Sequence, residues 1–379
     1  MNHIALLIPT IDRIGGAEQQ VILLAKGLSK RGWRVSLVAL SGTGGSAAGE
    51  LSNAGVEFLS LGMRKGLADP RGWIRLNRWL RRERPDVVHS HLPHAAWLMR
   101  WSRLAAPVRV VLDTIHTSAT GTPGRKFAYR HSNWLPDQVT AVSEAVAKAY
   151  LSAQMVSPDC LIVLPNGVDL EKWKPDPVVR GALRKELGLT DEFLWFAAGR
   201  LEPVKDYPTL LQAMAQIETP ARLVIAGGGS LDGELHRLSE KLAIGSRVQF
   251  LGFEPDVRRW MQAADGFVLS SRWEGLPMGL LEASACALPA VATAVPGNSE
   301  VVTHGYTGIL AETGSATVLA AAMNRLMQTP PRERNAMGER AQQFVMERYD
   351  LERVLGRWEA LYGALLGRNR LPLHRGRAH

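Results

Sequence analysis

The stretch Arg272–Gly297, RWEGLPMGLLEASACALPAVATAVPG, decides the fold. From Gly275 onward it is long and apolar enough to raise the question of a membrane span. It also holds Glu282 and three prolines, Pro277, Pro289 and Pro296. A charge in mid-bilayer costs about 3 kcal/mol, and the prolines divide the run into separate elements. The stretch therefore reads as a helix, Pro277–Ala287, followed by a short buried strand, Ala290–Thr293. Buried strands alternating with helices make a parallel sheet covered on both faces.

The same alternation runs outward in both directions. Upstream, Ile4–Pro9, Arg34–Leu40, Asp86–Ser90, Val108–Leu112, Gln138–Val142 and Leu161–Leu164 read as strands, with helical periods at Ala17–Lys30 and Arg71–Arg84 between them. The turn-rich run Pro165–Gly167 and Lys172–Pro177 marks a boundary. The pattern then restarts with strands Phe193–Ala197, Arg222–Ala226, Val248–Phe250 and Gly266–Leu269, and helices from about Thr317 finish the chain. At 379 residues and 46% hydrophobic, the chain is large enough for two cores. Two cysteines, Cys160 and Cys286, cannot form a disulfide framework, which points to a reducing compartment. Met1–Thr10 lacks a basic leader and reads as a first strand rather than a signal peptide. The fold class is α/β: two doubly wound domains, with the cleft between them as the expected ligand site.

Charge is uneven. Between Arg71 and Arg109, nine arginines face only Glu83 and Asp86, a balance of +7 within an overall +9. Trp73, Trp79, Trp97 and Trp101 lie in the same segment, and Arg368, Arg370, Arg375 and Arg377 follow Gly367. Arginine mixed with tryptophan suits an anionic membrane interface; a solvated helix face with partly buried tryptophans is the plainer alternative. No nucleic-acid motif accompanies the charge, so no nucleic-acid partner is expected.

Several motifs are missing. No G-x-G-x-x-G follows the first strand, and Gly227–Gly233 has the wrong spacing for one. There is no Walker A, no H-E-x-x-H, no paired C-x-x-C and no D-x-D. No metal site is expected, and any phosphate must be neutralised by side chains or amides. His89, His91 and His94 cluster after a strand, but no acidic or Cys ligand accompanies them.

Other motifs are present. Gly15 and Gly16 open the first helix, where backbone amides favour an anion. Gly199–Arg200–Leu201–Glu202–Pro203–Val204–Lys205–Asp206 follows a strand and supplies two cations, Arg200 and Lys205, which together can replace a metal on a diphosphate leaving group. Glu274 and Glu282 are separated by seven residues. On one helix they would stand about 12 Å apart, beyond the roughly 5–9.5 Å of a glycosidase carboxylate pair. They read as two anchors along one elongated ligand. Glu282 lies in an apolar helix and needs a partner to be buried, a need that sugar hydroxyls would meet. Amides from Gly275 to Gly279 face the same helix N-terminus. His116, in a loop facing the cleft, can bond a sugar hydroxyl or assist a proton.

Arg200 with Lys205, the Glu274/Glu282 pair, Asn166–Gly167–Val168–Asp169 and Gly15–Gly16 together resemble the retaining GT-B glycosyltransferases of family 4, over about Ile4 to Leu361. The resemblance implies two Rossmann-like domains facing a deep interdomain cleft: residues 1–168 for the acceptor, 169–345 for the nucleotide-sugar donor, and 346–379 as a helix crossing back to the first domain plus a basic tail. It implies transfer of a sugar from a nucleotide-sugar donor, UDP-sugar before GDP-sugar, to a hydroxyl of a lipid-linked or cell-surface glycan, with retained configuration. No cofactor and no catalytic metal are implied. Arg200 and Lys205 would hold the diphosphate and Glu282 the ribose. Glu274 and the backbone at Gly275, Leu276, Met278 and Gly279 would face the donor sugar and phosphate. Gly15 and Gly16 would approach the phosphate, and His116 would stand beside the donor sugar. Glu274, His116, Arg200 and Lys205 form the implied catalytic set, with the leaving phosphate deprotonating the acceptor. The chain would be cytoplasmic and peripheral on the inner face of the plasma membrane. Two alternatives share the fold: a nucleotide-sugar epimerase and a non-catalytic nucleotide-sugar-binding protein. The chain departs from the family pattern at Ala287, where a glycine is usual, and at Val295–Pro296–Gly297–Asn298, where a glycine pair is usual. Both departures bear on the donor-side loop.

Overall fold

In the computed structural model, residues 1–12, 15–64 and 69–368 are described. Arg370, Arg375 and Arg377 of the basic tail lie outside them. The first half runs β1 (His3–Ile8), α1 (Gly16–Lys30), β2 (Arg34–Ala39), α2 (Gly45–Asn53), β3 (Glu57–Ser60), α3 (Pro70–Glu83), β4 (Val87–His91), α4 (Pro93–Ala105), β5 (Val110–Ile115), α5 (Pro123–Ser132), β6 (Gln138–Ala141), α6 (Glu144–Ser152) and β7 (Leu161–Val163). The second runs α7 (Pro177–Glu186), β8 (Phe193–Ala198), α8 (Tyr207–Ala215), β9 (Ala221–Ala226), α9 (Asp232–Lys241), β10 (Val248–Gly252), α10 (Arg258–Ala263), β11 (Gly266–Leu269), α11 (Met278–Ala285), β12 (Ala290–Thr293), α12 (Pro296–Ser299), β13 (Gly308–Ala311), α13 (Ala316–Gln328), α14 (Pro331–Arg348) and α15 (Leu351–Arg368).

The chain divides into two compact units: residues up to Gly167 together with those from Glu352 onward, and Val168–Leu351. The first holds a seven-stranded sheet, ordered β3-β2-β1-β4-β5-β6-β7, and the second a six-stranded sheet, ordered β10-β9-β8-β11-β12-β13. All pairings between these strands are parallel. Strand order reverses between β1 and β4 in one unit and between β8 and β11 in the other. In such sheets the crevice outside the strands' carboxyl ends at the reversal is where ligands bind.

The apolar runs become strands because both of their faces are buried. His3–Ile8 is buried throughout, and so are Ala290–Thr293 and Gly266–Leu269. The deciding stretch is a helix and then a strand, but the helix starts at Met278. Pro277 is its N-cap, with extended backbone at ψ 107, rather than its first residue. The helix ends at Ala285, and Ala287 takes a left-handed φ of 52°. Leu288 N–H donates to Ala283 O across that turn, the bond that defines a Schellman stop. A glycine would adopt this backbone without strain. Among the described residues, no helix is long and apolar enough to cross a membrane.

The basic segment does not form one charged face. Arg100 is 1% exposed and pairs with Asp113 at 2.6 Å, its guanidinium lying 4.5 Å over the Tyr129 ring. Arg103 pairs with Asp137, and Arg109 donates to Leu366 O. Counting residue types gave these three to the surface, but pairing with carboxylates and carbonyls takes them inward.

Candidate functional site

In the second unit the site grows from two loops that leave neighbouring strands at the reversal. Gly199–Asp206 follows β8. Leu201 N–H donates to Gly228 O at 3.0 Å, Leu231 N–H to Leu201 O at 2.9 Å, and Ser230 Oγ to the Glu202 carboxylate at 2.8 Å. A Cβ at Gly227 or Gly229 would overlap the carbonyl of Gly199 or of Leu201. The triglycine therefore lets the β9 loop press against the β8 loop, a packing role that explains why its spacing is not that of a dinucleotide motif.

The β11 loop is laced to the same segment. Ser270 Oγ donates to Lys205 O at 2.7 Å, and Arg272 N–H donates to Val204 O at 2.8 Å. Arg272 pairs with the buried Asp206 at 3.2 Å. Across the two loops Lys205 Nζ donates to Glu274 Oε1 at 2.5 Å, and Ser271 Oγ donates to the same oxygen at 2.6 Å. The two side chains are 18% and 12% exposed. An ammonium has three donors, so Glu274 fixes the Lys205 head with one and leaves two for a ligand. Arg200 is exposed, and its guanidinium makes no hydrogen bond or salt bridge to another described residue.

A third layer supports the β11 loop. Thr293 Oγ1, at the end of β12, donates to Ser271 O at 2.5 Å, and the fully buried Asn298 donates Nδ2 to Thr293 O at 2.9 Å. A Cβ on Gly297 would press on the carbonyls of Glu274 and Gly275 at 2.7 Å. Gly297 thus permits a close approach of the two loops, while Asn298 supplies a buried clasp. Glu282 is 6% exposed within α11, among Leu280, Leu281, Ala283 and Ala285. Burial first, and the Glu282 charge second, push the neighbouring Cys286 thiol up to about 12. Gly275, Leu276 and Met278 are buried where α11 begins, and Gly279 is half-buried in its first turn, where helix amides carry partial positive charge.

In the first unit, Gly16 begins α1, but the Gly15 N–H donates to Glu18 at 3.0 Å. That amide is already capped by the helix's own carboxylate. His116, just after β5, meets His91 at the end of β4, with Nδ1 of His91 and Nε2 of His116 3.1 Å apart. His89 bonds Tyr362 Oη at 2.8 Å and Thr114 Oγ1 at 2.6 Å, and its ring packs 4.0 Å from that of His91. Burial pushes His116 down to about 4 and His89 down to about 3, and His91 lies well below the ordinary imidazole value. All three rings are neutral at pH 7. Among the described residues, no group of three or more His, Cys, Asp or Glu is placed to hold a metal ion.

The structure brings Lys205 and Glu274 together and places Glu282 on the helix that follows Glu274. Sequence reasoning missed Ser271 and Thr293, and it named His91 and Asn298 without the contacts that they make here. The Ser270–Ser271 pair beyond a buried strand was the available signal for the first.

Two family models match this chain: "Glycosyltransferase Family 4" over residues 14–172 and "Glycosyl transferases group 1" over residues 179–344. The UDP-Gal:alpha-D-GlcNAc-diphosphoundecaprenol alpha-1,3-galactosyltransferase of Escherichia coli is 27% identical over 311 residues, covering 78% of this chain and 80% of that protein. The N-acetyl-alpha-D-glucosaminyl L-malate synthase of Bacillus anthracis is 30% identical over 291 residues, covering 74% and 75%. Among solved structures, Anabaena HepE in complex with UDP and glucose matches with a TM-score of 0.86 at 22% identity, covering 96% of this chain and 100% of that one. The matched folds, the motif positions and these relatives agree: the chain belongs to the family 4 nucleotide-sugar glycosyltransferases of GT-B fold.

Proposed function

We propose that the chain moves a sugar from a UDP-sugar to a hydroxyl of a lipid-linked or cell-surface glycan, with retention of anomeric configuration. The observation that carries this reading is the Lys205–Glu274 pair, which joins the loops of two adjacent strands where the sheet order reverses. Arg200 and Lys205 bind the diphosphate, and Glu282 binds the ribose hydroxyls. Glu274 and the backbone at Gly275, Leu276, Met278 and Gly279 face the donor sugar and its phosphate. Gly16 approaches the phosphate, with the neighbouring Gly15 amide held by Glu18, and His116 stands beside the donor sugar. The bond from the anomeric carbon to the phosphate oxygen breaks as the acceptor oxygen bonds that carbon on the same face, and the acceptor proton passes to the leaving phosphate. Positioned cations stabilise charge developing on that leaving group. Absence of a D-x-D sequence and presence of two cations support a reaction without a resident metal.

UDP is supported by the HepE complex and by the galactosyltransferase, whose printed donor is UDP-Gal. The second also supports a diphosphoundecaprenol-type acceptor, and with it work at the inner membrane face. The test is incubation with a panel of UDP- and GDP-sugars and an undecaprenyl-diphosphate glycan, with and without EDTA, followed by NMR of the product's anomeric proton. Transfer with retained configuration, undiminished by EDTA, is expected. An inverted product or a chelator-sensitive rate overturns that part of the reading, and epimerised donor without transfer favours the epimerase alternative.

A further inference from the structure

We propose that the outer face of the α3–α4–α5 layer in the first unit docks on an anionic lipid bilayer. The crossovers β3 to β4, β4 to β5 and β5 to β6 all advance in the same direction across the sheet, so a right-handed path puts α3, α4 and α5 on one side of it. The helices are tied edge to edge. Asn77 Nδ2 on α3 donates to Ser102 Oγ on α4 at 3.3 Å, Arg81 donates to Ala105 O at 2.6 Å, and Arg100 Nη1 donates to Ser132 Oγ on α5 at 2.8 Å.

Each helix keeps apolar side chains on its solvent side. Trp73 and Ile74 on α3, Trp97, Trp101 and Leu104 on α4, and Phe127 and Trp134 on and just after α5 are all exposed, from 37% for Trp73 to 68% for Trp134. Residues 97, 101 and 104 stand at helical spacing, one bare stripe, while Ala95, Ala96 and Met99 fill the inner face of the same helix. Phe127, His131 and Trp134 repeat the spacing, with the Phe127 and His131 rings 4.0 Å apart. A single exposed tryptophan needs no explanation, but bare aromatic stripes on adjacent helices do.

Charge selects the occupant. From residue 70 to residue 134 there are twelve Arg or Lys, of which Arg100, Arg103 and Arg109 turn inward, and three acids, Glu83, Asp86 and Asp113. Asp113 is buried with Arg100, Glu83 is bridged by Arg34 and Arg82, and Asp86 accepts from His3 N–H. Arg75, Arg81 and Arg130 bond carbonyl oxygens, so their charge is not neutralised, and Arg71 and Arg78 are exposed beside Trp73 and Ile74. Indoles and aliphatic side chains set among arginines match a boundary where acyl chains meet anionic headgroups. Ile74 and Leu104 have no flat face for stacking on nucleobases.

Vesicle binding by this face needs no donor. The full chain is sedimented with vesicles of equal phosphatidylglycerol and phosphatidylcholine, and with phosphatidylcholine alone. Two variants run beside it, Trp97→Ser/Trp101→Ser and Arg71→Gln/Arg78→Gln, with circular dichroism to confirm folding. Binding to the anionic vesicles only, weakened at least about tenfold in each variant, is the expected result. Wild-type binding by both variants overturns the proposal. So does light scattering that shows self-association lost in the tryptophan variant, or binding of duplex DNA with the same residue dependence and no vesicle binding.

Discussion

Lys205 Nζ lies 2.5 Å from Glu274 Oε1, although the two residues stand on loops from different strands, β8 and β11. These strands are neighbours only because the sheet order reverses there. The pair joins the two halves of the crevice, and it aims a cation by means of a carboxylate.

Removing either partner exposes what each one does. Lys205→Ala should lower transfer by at least about 10²–10³-fold, the loss typical of a missing transition-state donor. It should also lower stability by about 1–3 kcal/mol by leaving Glu274 without its cation. Adding Glu274→Gln should restore part of the stability and none of the transfer. Denaturant midpoints and initial rates on the four proteins of this cycle check the separation. Recovery of activity in the double variant would show that Lys205 serves only to neutralise Glu274.

Ala287 follows α11 in a left-handed conformation, φ 52°. An alanine there is strained by about 1–2 kcal/mol, partly offset because glycine makes the unfolded chain freer. Ala287→Gly should therefore stabilise the chain by up to about 1 kcal/mol, read as a higher thermal midpoint with unchanged donor affinity. A lower midpoint would mean that the alanine methyl makes packing contacts worth more than the strain.

Much of this was legible in the sequence, for a physical reason. Strands such as Ile4–Pro9 and Gly266–Leu269 are apolar on both faces because helices cover both sides of their sheets, so they stand out without an alternating pattern. The segments holding Arg200–Lys205 and Glu274–Glu282 were legible as loops leaving buried strands, and the contact of Lys205 with Glu274 joins them. Other elements were not. α2, in the glycine-rich run SGTGGSAAGELSN, buries only Ala47 and Leu51 and has little period to read. Arg100 looks like any surface arginine until Asp113 and Tyr129 are brought to it. The clasp of Ser271, Thr293 and Asn298 joins the ends of different strands, and no local pattern encodes that meeting.

The three neutral histidines set a pH dependence. In the unfolded chain each ring returns to about 6.5, while in the fold His116 sits at about 4 and His89 at about 3. Below pH 6.5 the unfolded state binds protons that the folded state does not. Stability is therefore full above pH 6.5 and falls as pH drops toward these folded values, by about 1.4 kcal/mol per pH unit for each ring. Ring NMR of the folded chain should show His89, His91 and His116 neutral down to pH 5.5. A midpoint near 6.5 for His116 would contradict the burial that holds it beside His91.

The most direct test of the central claim, that the donor diphosphate is held where β8 and β11 diverge, is calorimetric titration of UDP into the wild type, Lys205→Ala and Glu282→Ala, with GDP as a second titrant. UDP should bind the wild type more tightly than GDP and lose at least about tenfold in each variant, about 1.4 kcal/mol. Equal UDP affinity in all three proteins would contradict the account and place the nucleotide elsewhere.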